Sequence, residues 1–343
     1  MGWARVGDRV ARDVVDVRTD LAGLTEGFWV LVVTFEGAVT AVRFADVRPA
    51  PVLRADGVWR PLREPWTTSL DEAAYVAAVT EVRRRIAAGT VYQVNVCRVL
   101  SHPLGDDASV GALGSLLAQG NPAPYAMTVE APEAGLEVAC ASPEAYFLRT
   151  GSRIVSCPIK GTAATAERML PKDYAENVMI VDLVRNDLSH VCRPGTVAVE
   201  RLCGIEEHPG LVHLVSDVSG RLRDDAGWSR IIGATFPPGS VSGAPKSTAL
   251  EAIADLEPVP RGPYCGAVGW VDADAGTAAL AVGIRTFWAE RDETGRRWLR
   301  FGTGSGITWG SDPVGEWRET ELKAARLVGL ASGGVATRGG TLA

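Results

Sequence analysis

A mixed fold of antiparallel strand pairs and packed helices is what this sequence predicts, and three observations carry it. Two strand pairs are joined by tight turns, one at Gly151-Ser152 and one between Asp272 and Gly276. Helical stretches of apolar periodicity open near Ser69, Asp173, Thr248 and Val314. The chain is 343 residues long, 46% hydrophobic and 22% charged, enough to bury a core as one large domain or two.

The same composition excludes several classes of function. A formal net charge of −6 lacks the basic stripe of a nucleic-acid binder, and the aromatics are not interleaved with Arg or Lys. Six cysteines, at 97, 140, 157, 192, 203 and 265, form no CxxC pair and sit mostly in apolar runs. That is the pattern of buried free thiols in a reducing compartment, not of a disulfide or zinc framework. The start, Met1-Gly2-Trp3-Ala4-Arg5, has no apolar signal core, and no apolar run approaches a membrane span. A soluble cytoplasmic protein with neither nucleic-acid nor membrane partners is expected.

In chain order, residues 1–65 read as short strands, clearest at Trp29 to Val33, punctuated by Gly37, Pro49, Pro51, Gly57 and Pro61. The Pro- and Arg-rich stretch Arg48 to Pro65 marks the expected boundary, dividing a β-rich N-terminal segment (1–65) from a main domain (66–330) and a flexible tail (331–343). Ser69 can cap a helix in which Tyr75, Ala78, Val79, Val82 and Ile86 recur at helical spacing, with Gly89 as its stop. Thr90 to Leu100 then alternates, placing Gln93 and Asn95 on one face, either as a polar site or as structural amides at a sheet edge.

The hairpin from Glu144 to Cys157 brings Glu144 to within about one residue of lying opposite Lys160, so a carboxylate is predicted beside that lysine. A lysine at a strand end is usually a solvated charge, but burial or a nearby cation would free its amine as a nucleophile. A simple ion pair with Glu144 would do the reverse. The helix entered through Pro171 and Asp173 runs to about Leu188; Asp173 and Glu176 have capping-box spacing, which gives Glu176 a structural explanation.

The run Pro237 to Ser247 superficially resembles a phosphate loop, but Pro245 stands where a glycine should precede Lys246. Tyr264 to Phe287 reads as two long strands, with Ala281, Gly283 and Arg285 on one face of the second, leaving room for an anion above the sheet. Gly302-Thr303-Gly304-Ser305-Gly306 cannot be a dinucleotide fingerprint, because Thr308 to Pro313 is turn-like, though a nest of backbone donors remains open. On the last helix Glu316, Glu319, Thr320 and Lys323 lie along one side, and Glu319 and Lys323 also have the spacing of an ordinary surface ion pair.

The order YQVN, SPE, PIKGT, AENVMIVDLVRNDL, HLVS, SGAPK, GPYCGAVG, IRT, GTGSG and then Glu316, Glu319-Thr320 and Lys323 resembles the chorismate-utilising enzymes from about Leu70 to Gly329. Within them it is most similar to the aminodeoxychorismate synthase component I branch. The resemblance implies a single intertwined α+β domain, with two large antiparallel sheets around a central cleft and helices outside. It further implies Mg²⁺ held by Glu176 and Glu319 with Glu316 in support, a set suited to an ion that takes few protein carboxylates and keeps its waters.

By matching positions, Tyr264, Arg285 and the Gly304 backbone would hold a substrate carboxylate, and Lys323 would neutralise another. Ser242, Gly243, Ala244 and His213 would line the ring, with Gln93, Asn95, Gly161 and Thr162 beside it. Relatives that add water to the ring usually carry lysine where this chain has Gln93, and those that make anthranilate usually carry alanine where it has Lys160. Lys160 as nucleophile and Glu144 as general acid are therefore implied, with ammonia supplied by a glutamine amidotransferase partner. His190 departs from the basic residue frequent at its position, and the short N-terminal segment lacks the element of a tryptophan feedback pocket. The alternatives are an anthranilate synthase component I, a non-catalytic chorismate-binding subunit, and a nucleotide-binding module, the last weakened by Pro245.

Overall fold

The structure is a computed structural model that describes residues 2–50, 58–163, 165–208 and 211–334. Of the tail expected over 331–343, residue Ala331 is buried at the end of the last helix, and 335–343 lie outside the described residues. Strands β1 (Trp3–Val6), β2 (Arg9–Arg18), β3 (Phe28–Val33), β4 (Val39–Pro49) and β5 (Thr67–Thr68) precede helix α1 (Glu72–Ala87). Then come β6 (Gln93–Pro103), α2 (Val110–Gly120), β7 (Tyr125–Ala131), β8 (Leu136–Ser142), β9 (Ala145–Thr150), β10 (Arg153–Cys157) and β11 (Ile159–Ala163). Helix α3 (Pro171–Ser189) leads to β12 (Ala198–His208), β13 (Leu211–Arg221), α4 (Trp228–Thr235), β14 (Gly243–Ala244) and α5 (Lys246–Leu256). The chain finishes with β15 (Ala267–Asp272), β16 (Thr277–Val282), β17 (Thr286–Arg291), β18 (Arg297–Ile307) and α6 (Pro313–Ala331).

Each strand pairing is antiparallel, and the ladder can be followed from end to end. From β5 and β14 on β6 it passes through β18, β17, β8, β7 and β1. It continues through β2, β4, β3, β15, β16, β9 and β10 to β13, which carries β11 and β12. The expected single intertwined α+β domain with large antiparallel sheets and helices outside is what forms, and β1, bonded to both β2 and β7, links its two halves into one continuous hydrogen-bonded network. The N-terminal strands β1 to β4 are members of that network.

The helices are placed by apolar faces. Tyr75, Ala78, Val79 and Val82 of α1 pack with Val94 and Val96 of β6 and Ala249 of α5. On α3, Ile180, Val181, Val184 and Leu188 enter the main core, while Ala324 and Leu327 of α6 pack with Leu113 and Leu117 of α2. Burial of such side chains contributes roughly 1.5–3 kcal/mol each.

Local chemistry departs from expectation at several points. Asp71, not Ser69, caps α1, accepting from Ala74 N at 2.8 Å; the Ser69 hydroxyl is taken by Val99 N at 2.9 Å. At α3 the cap lies one turn earlier than the capping-box spacing implied. Asp173 Oδ2 accepts from Leu170 N at 2.9 Å, so Glu176 is left outside the cap. Arg285 is not on β16, which ends at Val282; it sits in the following link with φ +53°. The glycine run at 302–306 is no nest but part of β18, in register with β6. Glycine is required there by close approach: a Cβ on Gly304 would lie 2.5 Å from Val96 O, and one on Gly302 only 2.0 Å from the Tyr264 ring.

Candidate active site

Lys160 stands on β11, next to the bulge that interrupts the β11–β13 register between Ile159 and Thr162. Gly161 follows it at φ +82°, and a Cβ there would lie 2.7 Å from Met169 Sδ and 2.8 Å from Asp173 Cβ. Only glycine lets the start of α3 close onto β11. That approach brings Glu176 of α3 into the field of Lys160.

The hairpin register ends at Cys157 opposite Ala145, so Glu144 stands across from Pro158, two residues short of Lys160. The predicted carboxylate neighbour is nonetheless there. Glu144 is buried, and burial pushes its carboxyl up to about 7, against the opposing pull of Ser240 and of the Lys160 amine. Desolvation lowers the Lys160 ammonium from its ordinary range, although Glu176, Glu144 and Glu319 pull it upward. The lysine Nζ donates to the backbone oxygen of Ser240 at 3.1 Å, and Asn95 Nδ2 donates to the same oxygen at 2.8 Å. No sequence pattern singled out Ser240, because its part is played by a main-chain carbonyl.

Gln93 is buried, and among the described residues neither end of its amide has a hydrogen-bond partner. An orphaned buried amide costs about 1–3 kcal/mol, so its environment favours a polar ligand. Gly306 leaves it space: a Cβ there would lie 2.4 Å from Gln93 Nε2. Ser242, Gly243 and Ala244 are buried against β6, with Gly243 opposite Val94 and Asn95 N donating to Ser242 O at 2.8 Å. His213 is buried on β13 opposite Thr162.

Arg285 is half-buried, with its guanidinium lowered by desolvation and by Arg326. Among the described residues none accepts a hydrogen bond from it, which fits a group awaiting an anion. Tyr264 is buried nearby in sequence, its hydroxyl 4.0 Å from Cys97 Sγ. Lys323 Nζ donates to Gly304 O at 3.0 Å and pairs with Glu319 at 2.7 Å. That surface pair was the ordinary explanation of their spacing, and it forms.

The candidate metal carboxylates come from two helices. Burial raises the Glu176 carboxyl, relieved by Lys160 and Lys172 and reinforced by Asp173 and Glu316. Glu316 is buried on α6 and Glu319 is exposed one turn on. Partial desolvation from its neighbours works against the Glu319 carboxylate, yet Lys323, Lys172 and Lys160 bring its pKa down overall. Among the described residues no three His, Cys, Asp or Glu side chains converge as a ready metal cage. A desolvated Glu176 repelled by Glu316 is still a donor set that a hard divalent cation would relieve, and Mg²⁺ needs only one or two such carboxylates. Lys246, from the phosphate-loop look-alike, is committed to Asp187 at 2.7 Å and Thr235 O at 2.8 Å.

Lys160 thus lies in the electrostatic field of Glu176, Glu144, Lys323 and Glu319, a desolvated amine among carboxylates drawn from the approach to β9, α3 and α6. The chain belongs to the chorismate binding enzyme family, whose sequence profile matches residues 42–329. It is 38% identical over 275 residues to an anthranilate synthase component 1 of Streptomyces coelicolor, covering 77% of this chain and 52% of that protein. It is 34% identical over 265 residues to an aminodeoxychorismate synthase component 1 of Bacillus subtilis, covering 74% of this chain and 54% of that protein. The chain thus spans about half the length of these curated relatives. In structure it is similar to a putative 2,3-dihydroxybenzoate-specific isochorismate synthase from Bacillus anthracis, with a TM-score of 0.80, 22% identity, and 96% and 95% of the two chains covered. An anthranilate synthase component I from Streptococcus pneumoniae matches with a TM-score of 0.78 and 20% identity over 95% and 92% of the chains. These last two likenesses establish the fold. Among the described residues no helix is long and apolar enough to cross a membrane.

Proposed function

We propose that this chain is an aminodeoxychorismate synthase component I, converting chorismate and ammonia to 4-amino-4-deoxychorismate for p-aminobenzoate formation. The observation that carries the reading is the placement of Glu144 beside Lys160, across the β9–β10 hairpin end and within its electrostatic field. Burial holds the amine below its ordinary range and raises the carboxyl to about 7, directions that favour a free amine as nucleophile and a carboxyl as proton donor.

The Lys160 amine attacks C2 of the ring as the C4–O bond breaks, and Glu144 gives its proton to the departing hydroxyl, which leaves as water. Ammonia then adds at C4, the C2–N bond to Lys160 breaks with return of its electron pair to nitrogen, and the pyruvyl group is retained. Arg285 and Lys323 supply positive charge for the two substrate carboxylates, and the Gln93 amide offers a neutral polar contact where a water-activating base would be needed for ring hydroxylation. Glu176 and Glu319, with Glu316 in support, would hold Mg²⁺, which supplies electrostatic polarisation when bound. Ammonia comes from a separate glutamine amidotransferase subunit; the Bacillus subtilis relative, named a component 1, supports that division of labour.

The second reading is an anthranilate synthase component I, favoured by the 38% identity to the Streptomyces coelicolor protein. Incubation with chorismate, Mg²⁺ and ammonium, with products resolved by mass and fluorescence, separates the two. A mass matching 4-amino-4-deoxychorismate is expected, and anthranilate as the main product would overturn the first reading.

A further inference from the structure

Chorismate chemistry at Lys160 gives no task to the most deeply buried ion pair near the cleft. Arg261 and Glu257 have side chains only 1% and 6% exposed. Arg261 Nε donates to Glu257 Oε2 at 2.7 Å and Nη2 to Oε1 at 2.5 Å, a two-pronged pairing of planar groups. The remaining donors leave the pair: Nη1 reaches Val241 O at 2.9 Å and Nη2 reaches Asn95 O at 3.0 Å. Glu257 Oε1 in turn accepts from Cys97 N at 2.8 Å. The guanidinium lies over the Phe35 ring at 4.2 Å, and Arg261 N donates to Glu36 Oε1 at 2.7 Å.

These backbone partners belong to the cleft. Asn95 and Cys97 are on β6, and Val241 follows Ser240 in the turn whose carbonyl receives both the Lys160 amine and the Asn95 amide. We propose that Arg261, braced by Glu257, is a positioning residue for Lys160: it locks the Ser240–Val241 turn to β6, so that the Ser240 carbonyl stands where the lysine amine is received. The proposal rests on the reading of Lys160 as the nucleophile.

Stability alone is a poor account of the pair. A buried ion pair recovers little more than its own desolvation cost, and apolar residues of similar volume often serve as well. What apolar residues cannot do is satisfy three main-chain groups, two on β6 and one in the turn. Lysine at 261 would keep the charge but has no planar fork to serve Glu257, Val241 and Asn95 together.

The test compares the full chain with its R261K and E257Q variants, measuring chorismate consumption under saturating Mg²⁺ and ammonium, the folded fraction by circular dichroism, and crystal structures. For R261K, kcat per folded molecule is expected to fall roughly 10- to 100-fold, with KM changed by less than about threefold, because misplacing a reacting group by about 1 Å costs up to 10²-fold. E257Q, which retains an acceptor for Cys97 N, is expected to lie between R261K and wild type. The R261K crystal structure is expected to show the Ser240 carbonyl withdrawn from Lys160. A folded R261K with kcat within about twofold of wild type overturns the proposal, since a merely structural residue lowers the folded fraction and not the turnover of what remains. Should R261K fail to fold, E257Q carries the same kcat and crystallographic criteria. A wild-type chain that consumes no chorismate overturns the functional reading instead; the position of Ser240 in the variant crystals then still decides whether Arg261 places it.

Discussion

At the scale of single residues the proposed chemistry rests on Lys160 and Glu144, and each yields a prediction. Lys160→Ala should remove the 4-amino-4-deoxychorismate product, which mass analysis of the reaction mixture would detect. Glu144→Gln should lower kcat by about 10²- to 10⁴-fold, the usual contribution of a positioned acid. The wild-type rate should decline as pH rises through about 7, because the donor form of Glu144 is lost there. The same burial affects stability with a definite sign. A carboxyl whose folded pKa is raised makes the folded state bind more protons than the unfolded one, so stability is lost as pH rises from the unfolded value of about 4.5 through 7. Glu144→Gln should therefore be more stable than wild type at pH 8, by up to roughly 3 kcal/mol, and less so at pH 4. Urea melts at the two pH values would show it, and equal differences would refute the link. The presence of a carboxylate beside Lys160 was legible in the hairpin; the direction in which the pair resolves was not, because desolvation depends on what packs over both groups.

At the scale of elements, the approach of α3 to β11 sets the geometry between amine and carboxylates. Gly161 permits it, with a positive φ and no Cβ against Met169 and Asp173. Gly161→Ala should cost about 1–3 kcal/mol for the strained φ and contact, and by moving α3 should raise the Mg²⁺ concentration needed for half-maximal activity. A metal titration unchanged from wild type would count against the role of this contact. The capping-box spacing of Asp173 and Glu176 is where the sequence left a structural role for Glu176 open, and the structure does not use it. Asp173 bonds back to Leu170, so the helix begins a turn earlier and Glu176 is released from structural duty. Periodicity cannot show this, since the choice between two N-termini depends on how α3 docks. Arg285 teaches the same lesson: alternation put it on a strand, whereas φ +53° turns it out of the strand pattern.

For the whole molecule, the controlling fact is that the two ends of the ladder meet. β11 hangs from β13 at one end and β6 lies at the other, yet Lys160 of the first and Asn95 of the second share the Ser240 carbonyl. A site assembled at such a closure should gain rigidity from its ligands. Mg²⁺ with chorismate is expected to raise the melting temperature by binding the folded state alone, about 2.7 kcal/mol at 100 times the dissociation constant, whereas chorismate without Mg²⁺ should do less. Identical melting curves would refute the joint site. The sequence by itself determined the family and several of the strands and helices, because periodicity, turns and motif order are local properties. Only the tertiary structure decided that β1 links the two halves of the sheet structure, that Glu176 is free of the cap, that the Gln93 amide has no partner among the described residues, and that Ser240 joins the lysine to Asn95. Each of these depends on contacts between residues far apart in the chain, where burial and close approach are set by the fold as a whole.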